Sequence, residues 1–216
     1  YEFLVPLVKG FSTEMSLEVT SLGVQVHGGM GFIEETGAAQ YYRDAKILTI
    51  YEGTTAIQAN DLVGRKTARD GGQTAKAIAS QIEQTEKQLK AHSEARCHAV
   101  AKRLSAAREA FLDVVEFFVA ESKSNPNAVY AGSVPYLMLA GNLMSGWQMG
   151  RAMLVALEHI AKNDDVAFMQ AKVTTARFYA DHILCKAPGL RDSIIDRKST
   201  RLNSSHEWIS RMPSSA

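Results

Sequence analysis

Apolar residues recur with the period of a helix along almost the whole chain. Between Leu7 and the Gly28-Gly29 break, Phe11, Met15, Val19, Leu22 and Val26 fall at steps of three and four, the stripe of one amphipathic helix. Gly28-Gly29-Met30-Gly31 stops it, and Thr36 is placed to cap a second helix through Tyr41, Ala45 and Leu48 to about Tyr51. After Glu52-Gly53, Thr54 is a fair N-cap for a third, through Ile57, Asp61 and Leu62 toward Lys66. Asp70-Gly71-Gly72 reads as a hinge into a second region. There, Ile78, Ile82 and Leu89 make a sparse stripe over 73–95, and Val100, Leu104, Phe111, Val115 and Phe118 a clear one over 96–122. Asn125-Pro126-Asn127 reads as a turn. Ser133 with Pro135 opens a long helix through Leu157, apolar on most sides between Tyr136 and Leu143 and hence central. Asn163-Asp164-Asp165 separates it from a last helix, Val166 to Lys186, which Pro188-Gly189 ends. No strand-length alternation stands out. The pattern predicts an all-α protein, a helical bundle with a second helical region appended.

Composition narrows the class. With 216 residues, 46% hydrophobic and 22% charged, and five prolines, the chain is globular rather than disordered or collagenous. Two cysteines, Cys97 and Cys185, are too few for a disulfide framework. Residues 197–216 hold six Ser and no apolar period, and read as a non-native, disordered tail resembling translated cloning sequence. Removing its four basic residues and one glutamate turns the net charge of +1 into −2, which weighs against a nucleic-acid binder. Asn142, Gln148 and Arg151 make the long helix too polar for a membrane span. The chain starts at Tyr1 without Met or a signal-like segment and reads as a fragment. A bacterial cytoplasmic location is expected, with a mitochondrial one left open.

Candidate chemistry concentrates in residues 25–58. Gln25-Val26-His27-Gly28-Gly29 ends in glycines that allow positive φ and close approach of a ligand, although a helix stop explains them as well. It is not a Rossmann fingerprint, because no βαβ unit surrounds it. Ile50-Tyr51-Glu52-Gly53-Thr54-Thr55 sets a carboxylate in a break between helices. Framed by Ile50, Tyr51 and Ile57, Glu52 could be partly desolvated and so tuned as a general base. By spacing alone, a charge at a helix N-terminus is the commoner role of such a Glu.

QVHGGMGF, followed by YYRDAKILTIYEGTTAIQ and then DLVGRK, resembles the C-terminal helical domain of acyl-CoA dehydrogenases from about Leu4 to Lys66. Residues 73–196, including AKVTTARFYADHIL, are similar to the extra helical region of the larger bacterial-type members. The resemblance implies three parts: 1–70 as that C-terminal domain, 71–196 as an additional helical domain, and 197–216 as tail. It implies FAD-dependent α,β-dehydrogenation of an acyl-CoA thioester, with Glu52 as catalytic base and Gly53 beside the bound thioester. Thr54 and Thr55 match flavin-contacting positions, and Ala56 stands where the family often has Gln. Gln25, Val26, His27, Gly28 and Gly29 match the stretch that touches the FAD of a neighbouring subunit, so a homo-oligomer, dimer or tetramer, is implied. Electron-transfer flavoprotein is the implied electron acceptor. Two alternatives stay open, a non-catalytic flavoprotein of this fold that binds nucleic acid and an oligomerisation or interaction role for the appended helices.

Other features read as structural. Adjacent Arg43 and Asp44 point about 100° apart on a helix, so Arg43 should pair elsewhere. His92, Cys97 and His98 lack zinc-ligand spacing and are expected on a helix surface. Gly146 and Gly150 mark a close helix crossing, Met144, Met149 and Met153 core filling, and His182 and Cys185 carry no site.

Overall fold

The computed structural model describes residues 1–196, and all regular structure among them is helical. The ten α-helices among these residues are α1 (Ser12–Val26), α2 (Gly29–Phe32), α3 (Ala38–Leu48), α4 (Thr55–Val63), α5 (Gln73–Ala91), α6 (Ala95–Glu121), α7 (Pro126–Ala131), α8 (Ser133–Ala161), α9 (Val166–His182) and α10 (Ala187–Ile195). Wide π-type turns at Leu7–Phe11 and Gly64–Ala68 run directly into α1 and out of α4. The tail expected over 197–216 lies outside the described residues.

Local chemistry explains several boundaries. Thr54 caps α4, its hydroxyl accepting from the Ile57 N–H at 3.4 Å. Asp70 organises the hinge by accepting from the Gly72 and Thr74 N–H groups, both at 3.0 Å, and from the Thr74 hydroxyl. Partial burial opposes ionisation of Asp70, but the hydrogen bonds from Thr74 and Gly72 win and hold its carboxyl below the usual range. Three expected boundaries are corrected. Gly37, at φ +75°, caps α3 instead of Thr36, whose hydroxyl donates back to the Met30 and Ile33 carbonyls. Asn125 caps a short helix with Pro126 in its first turn, because proline's missing N–H costs nothing there. For the same reason Pro188 starts α10 rather than ending the preceding helix, which closes at His182.

The core is centred on α6 and α8. Tyr136 stacks on Phe111 (centroids 5.7 Å apart) and meets Phe118 edge-on at 4.9 Å, while Phe3 from the chain start packs edge-on against Phe111 at 6.4 Å. Each such pair adds about 0.5–1.5 kcal/mol beyond its area burial. The buried Tyr136 hydroxyl pairs with that of Thr67 at 2.9 Å, and burial pushes its phenol pKa well up. One cluster thus joins Phe3, Leu7, Leu62 and Val63 to the helices beyond residue 70. Bonds across helices reinforce it. Arg108 on α6 donates to Glu86 on α5 through two nitrogens, at 2.7 and 3.1 Å, and Trp147 on α8 donates to the Thr85 hydroxyl at 2.8 Å.

The glycines of α8 do mark crossings, since a Cβ at Gly146 would meet Leu184 at 2.9 Å and one at Gly150 would meet Leu89 at 3.2 Å. Met153 is buried and Met144 and Met149 pack on the same core. Cys97 is fully buried rather than on the surface, because it lies on the face of α6 that turns toward the core with Val100 and Leu104, and burial raises its thiol pKa. Among the described residues, no helix is long and apolar enough to cross a membrane.

The largest departure from the sequence pattern is in α1. Phe11 is buried, but Val19, Leu22 and Val26 of the same stripe are 66%, 58% and 85% exposed. The stripe is amphipathic as read, but no described element covers its far half.

Candidate active site

Glu52 lies in the short break between α3 and α4, with its side chain exposed. Its backbone is left-handed, at φ +53°. The other non-glycine residues with positive φ among those described are Asn163 and Asp165, types that tolerate this region. Glu52 has no short polar side chain to ease that conformation, so surrounding structure must hold it, and such strain concentrates at functional sites. Gly53 continues the turn at φ +96°. The conformation favours glycine, and a Cβ there would sit 2.6 Å from the side-chain amide nitrogen of Gln58, which would have to swing aside. The Glu52 and Gly53 N–H groups have no acceptor among the described residues.

Three side chains hold this loop. Lys9, from the first π-type turn, donates to the Leu48 carbonyl at the end of α3, and its ammonium stands 5.6 Å from the centre of the Tyr51 ring. Glu14 on α1 accepts from the Thr55 hydroxyl. Gln58, one turn into α4, fills the space beside Gly53. None of the three was singled out from sequence. Lys9 and Glu14 are 39 and 41 residues away from their partners, and no local pattern announces such pairs.

The apolar frame expected around Glu52 is not formed within this chain. Ile50, Tyr51 and Ile57 are 53%, 46% and 56% exposed, because the loop stands at the edge of the helices and its apolar side chains point away from them. α3 also ends at Leu48 rather than Tyr51, where Lys9 takes its last carbonyl.

The second expected cluster lies elsewhere. Gln25, Val26, His27, Gly28 and Gly29 span the C-terminal end of α1 and the turn into α2, all exposed. Glu14 is near the start of that helix and His27 just beyond its end, a separation of about 20 Å at the helical rise. One chain therefore does not bring the two clusters together. His27 Nδ1 lies 2.8 Å from the Gly23 carbonyl oxygen. That oxygen can only accept, so Nδ1 is the donor in this bond and Nε2 faces outward from the helix end. Gly28 is at φ +61°, and nothing lies within 4 Å of where a Cβ would stand on Gly28 or Gly29. Beside them a groove of about 270 Å³ runs between α1 and α3, lined by Val19, Thr20, Gly23, His27, Thr36 and Tyr41, among others. Arg43 pairs with Glu34 through two bonds of 2.8 and 2.6 Å, away from Asp44 as expected, and so ties α3 to the turn before it.

Comparison with known proteins identifies the family. Residues 2–66 match the family described as acyl-CoA dehydrogenase, C-terminal domain, and residues 75–203 match acetyl-CoA dehydrogenase C-terminal like. The chain is 53% identical over 204 residues to the 3-methylmercaptopropionyl-CoA dehydrogenase of Ruegeria pomeroyi, an alignment covering 94% of this chain and 34% of that protein. It is 31% identical to a broad-specificity linear acyl-CoA dehydrogenase of Mycobacterium tuberculosis, over 89% of this chain and 33% of the relative. A Bacillus anthracis acyl-CoA dehydrogenase, solved complexed with FAD, shares the fold at a TM-score of 0.65 and 21% identity, over 90% of this chain and 32% of the other. The chain spans about a third of the length of these relatives. Signature, helical fold and family matches agree, and the chain belongs to the acyl-CoA dehydrogenase family, of which it carries the C-terminal helical region.

Proposed function

We propose that the protein containing this chain dehydrogenates an acyl-CoA thioester between Cα and Cβ with FAD, and that Glu52 is its catalytic base. The observation that carries this reading is the left-handed Glu52 itself, a carboxylate held in a strained loop inside the family's own signature. Glu52 removes the pro-R α-proton of the thioester. Its backbone N–H, without an acceptor among the described residues, donates to the thioester carbonyl as negative charge develops there. Gly53 leaves room for the acyl group. Covering the exposed frame of Ile50, Tyr51 and Ile57 when substrate binds would desolvate the carboxylate and suit it to abstracting a weakly acidic proton.

The chain's residues suit FAD. The open backbone of Gly28 and Gly29, with Gln25, Val26, His27 and the groove between α1 and α3, forms one contact surface. Thr54 and Thr55 form the other. The Thr55 hydroxyl proton is already committed to Glu14, so toward a ligand it can only accept. When bound, FAD supplies acceptance of the β-hydrogen as hydride at N5. As the family resemblance implies, Gln25–Gly29 of one subunit would serve the flavin of a neighbour in a homo-oligomer, a dimer or a tetramer, and the separation of about 20 Å between the two surfaces along α1 is compatible with that. Electron-transfer flavoprotein is the proposed electron acceptor. Residues 1–70 and 71–196 are proposed as the family's helical domain and an additional one. Taken alone, this chain is expected neither to retain FAD nor to turn over substrate.

The test uses the full-length protein that carries this chain, as wild type and Glu52→Gln, mixed anaerobically with a panel of acyl-CoAs while flavin absorbance is followed. Rapid bleaching in the wild type, lost in the variant with FAD and ligand still bound, is the expected result. Bleaching that survives Glu52→Gln overturns the base assignment, and no bleaching by any acyl-CoA overturns the reaction.

A further inference from the structure

We infer that Lys9 is a positioning residue for the Glu52 loop, through which the central helix α8 sets the geometry of the base. This rests on the reading of Glu52 given above.

Lys9 sits in the π-type turn Leu7–Phe11, whose neighbours on either side are fastened. A Cβ on Gly10 would stand 2.8 Å from Leu137 of α8 and 3.0 Å from Gln58 Cβ, and one on Gly141 of α8 would stand 2.2 Å from the Phe11 ring. The turn is thus pressed against α8 with no slack, and Lys9 leaves it from a fixed backbone. Its ammonium takes the Leu48 carbonyl, one of the groups that a helix C-terminus leaves without an intrahelical donor. The site is also the negative end of the α3 dipole, where a cation is stabilising. The same ammonium lies over Tyr51, at 5.6 Å, where the ring face attracts it. One side chain therefore holds the residue that ends α3 and the residue that precedes Glu52.

Glu52 needs such a hold. Nothing in its own side chain favours φ +53°, and the loop's apolar residues lie exposed instead of packed. Thr55 is fixed to Glu14 on the far side and Gly53 is backed by Gln58, so the loop is held at both ends. On the near side the Thr49, Ile50 and Tyr51 N–H groups turn back onto Lys46 and Ile47 of α3, and Lys9 is the side chain that ties this end to the turn packed on α8. Without it, Thr49 to Tyr51 lose their anchor to α8 and the carboxylate samples positions away from the reacting carbon. A displacement near 1 Å can cost about 100-fold in rate.

The experiment compares wild type, Lys9→Met and Lys9→Arg by two readouts. In this chain, amide hydrogen exchange is followed at residues 49–54 and in α6 and α8. The expected result is exchange in the loop about 10-fold faster or more in Lys9→Met, largely restored in Lys9→Arg, with α6 and α8 unchanged. In the full-length protein loaded with FAD, Lys9→Met is expected to slow flavin bleaching by about 10- to 100-fold. Half-saturation by acyl-CoA should move much less, and the Arg variant should recover most of the rate. Unchanged loop exchange overturns the inference, as does faster exchange with an unchanged bleaching rate. Loss of protection throughout the chain in both variants also overturns it, because Lys9 would then act on folding. If wild type and Glu52→Gln bleach alike, the base assignment fails whatever Lys9 does. If bleaching depends on Glu52 and not on Lys9, only this inference fails.

Discussion

Helices α6 and α8 bury ten and twelve of their residues, whereas α1, 15 residues long, buries none and α3 only Ala38 and Ala45. The contrast is not one of sequence, because α1 carries as regular an apolar stripe as α6. It lies in what each stripe meets. Val100, Leu104, Phe111, Val115 and Phe118 find α5, α8 and α10, while Val19, Leu22 and Val26 find water. Exposed apolar residues cluster accordingly in the first part of the chain, where Met30, Phe32, Tyr41, Ile47, Ile50 and Tyr51 join the stripe. A patch of this kind marks an interaction surface. Both candidate clusters lie in this less buried part, and the rigid core lies in the other. The two are joined by Phe3, Leu7, Phe11, Leu62 and Val63.

Four perturbations test that contrast, the most severe in the rigid part. Arg108→Met would leave Glu86, 1% exposed, as an unpaired buried carboxylate, at a cost of about 3–5 kcal/mol in urea unfolding. Replacing both partners by apolar residues of similar volume should recover most of that loss. If the single and double variants are equally destabilised, the pair is not what makes this region rigid.

Next is the joint between the parts. Gly141→Ala drives a methyl group into the Phe11 ring and should cost about 1–3 kcal/mol. Hydrogen exchange in α8 and in residues 7–11 should quicken together. An effect confined to α8 would mean that the two parts do not share one core.

A smaller effect is expected with acid. Hydrogen bonding from the Arg96 side chain, then from its N–H, holds the Glu94 carboxyl down to about 2. A carboxyl depressed by folding contributes stability that is fully present above its ordinary pKa, near 4.5, and is lost as pH falls from there through about 2. Glu94→Gln should remove that part of the acid dependence from thermal melts recorded between pH 5 and 2. Parallel melting profiles for the two proteins would sink the assignment.

The smallest effect belongs to the stripe that faces water. Val19→Thr and Leu22→Gln in this chain should change stability by no more than about 0.5 kcal/mol. A loss well above about 1 kcal/mol in chemical denaturation would show that the stripe is covered in solution, and the contrast between the two parts would disappear.

Much was legible from the amino-acid order alone. Helical periodicity gave the all-α class and most helices, Thr54 gave its cap, and the string from Gln25 to Lys66 carried the family resemblance. These are local properties, encoded within a few turns of chain. An apolar stripe states which face of a helix should leave water, and says nothing of what will cover it. Hence α1 and α6 looked alike in sequence and differ in burial. The apolar frame read around Glu52 failed for the same reason, since neighbours in sequence at a helix end need not enclose one another. Tertiary structure alone decided which side chains hold the loop. Lys9 reaches Leu48, Glu14 reaches Thr55, and Phe11 presses on Gly141, contacts between residues far apart in sequence whose closeness depends on how the whole set of helices packs.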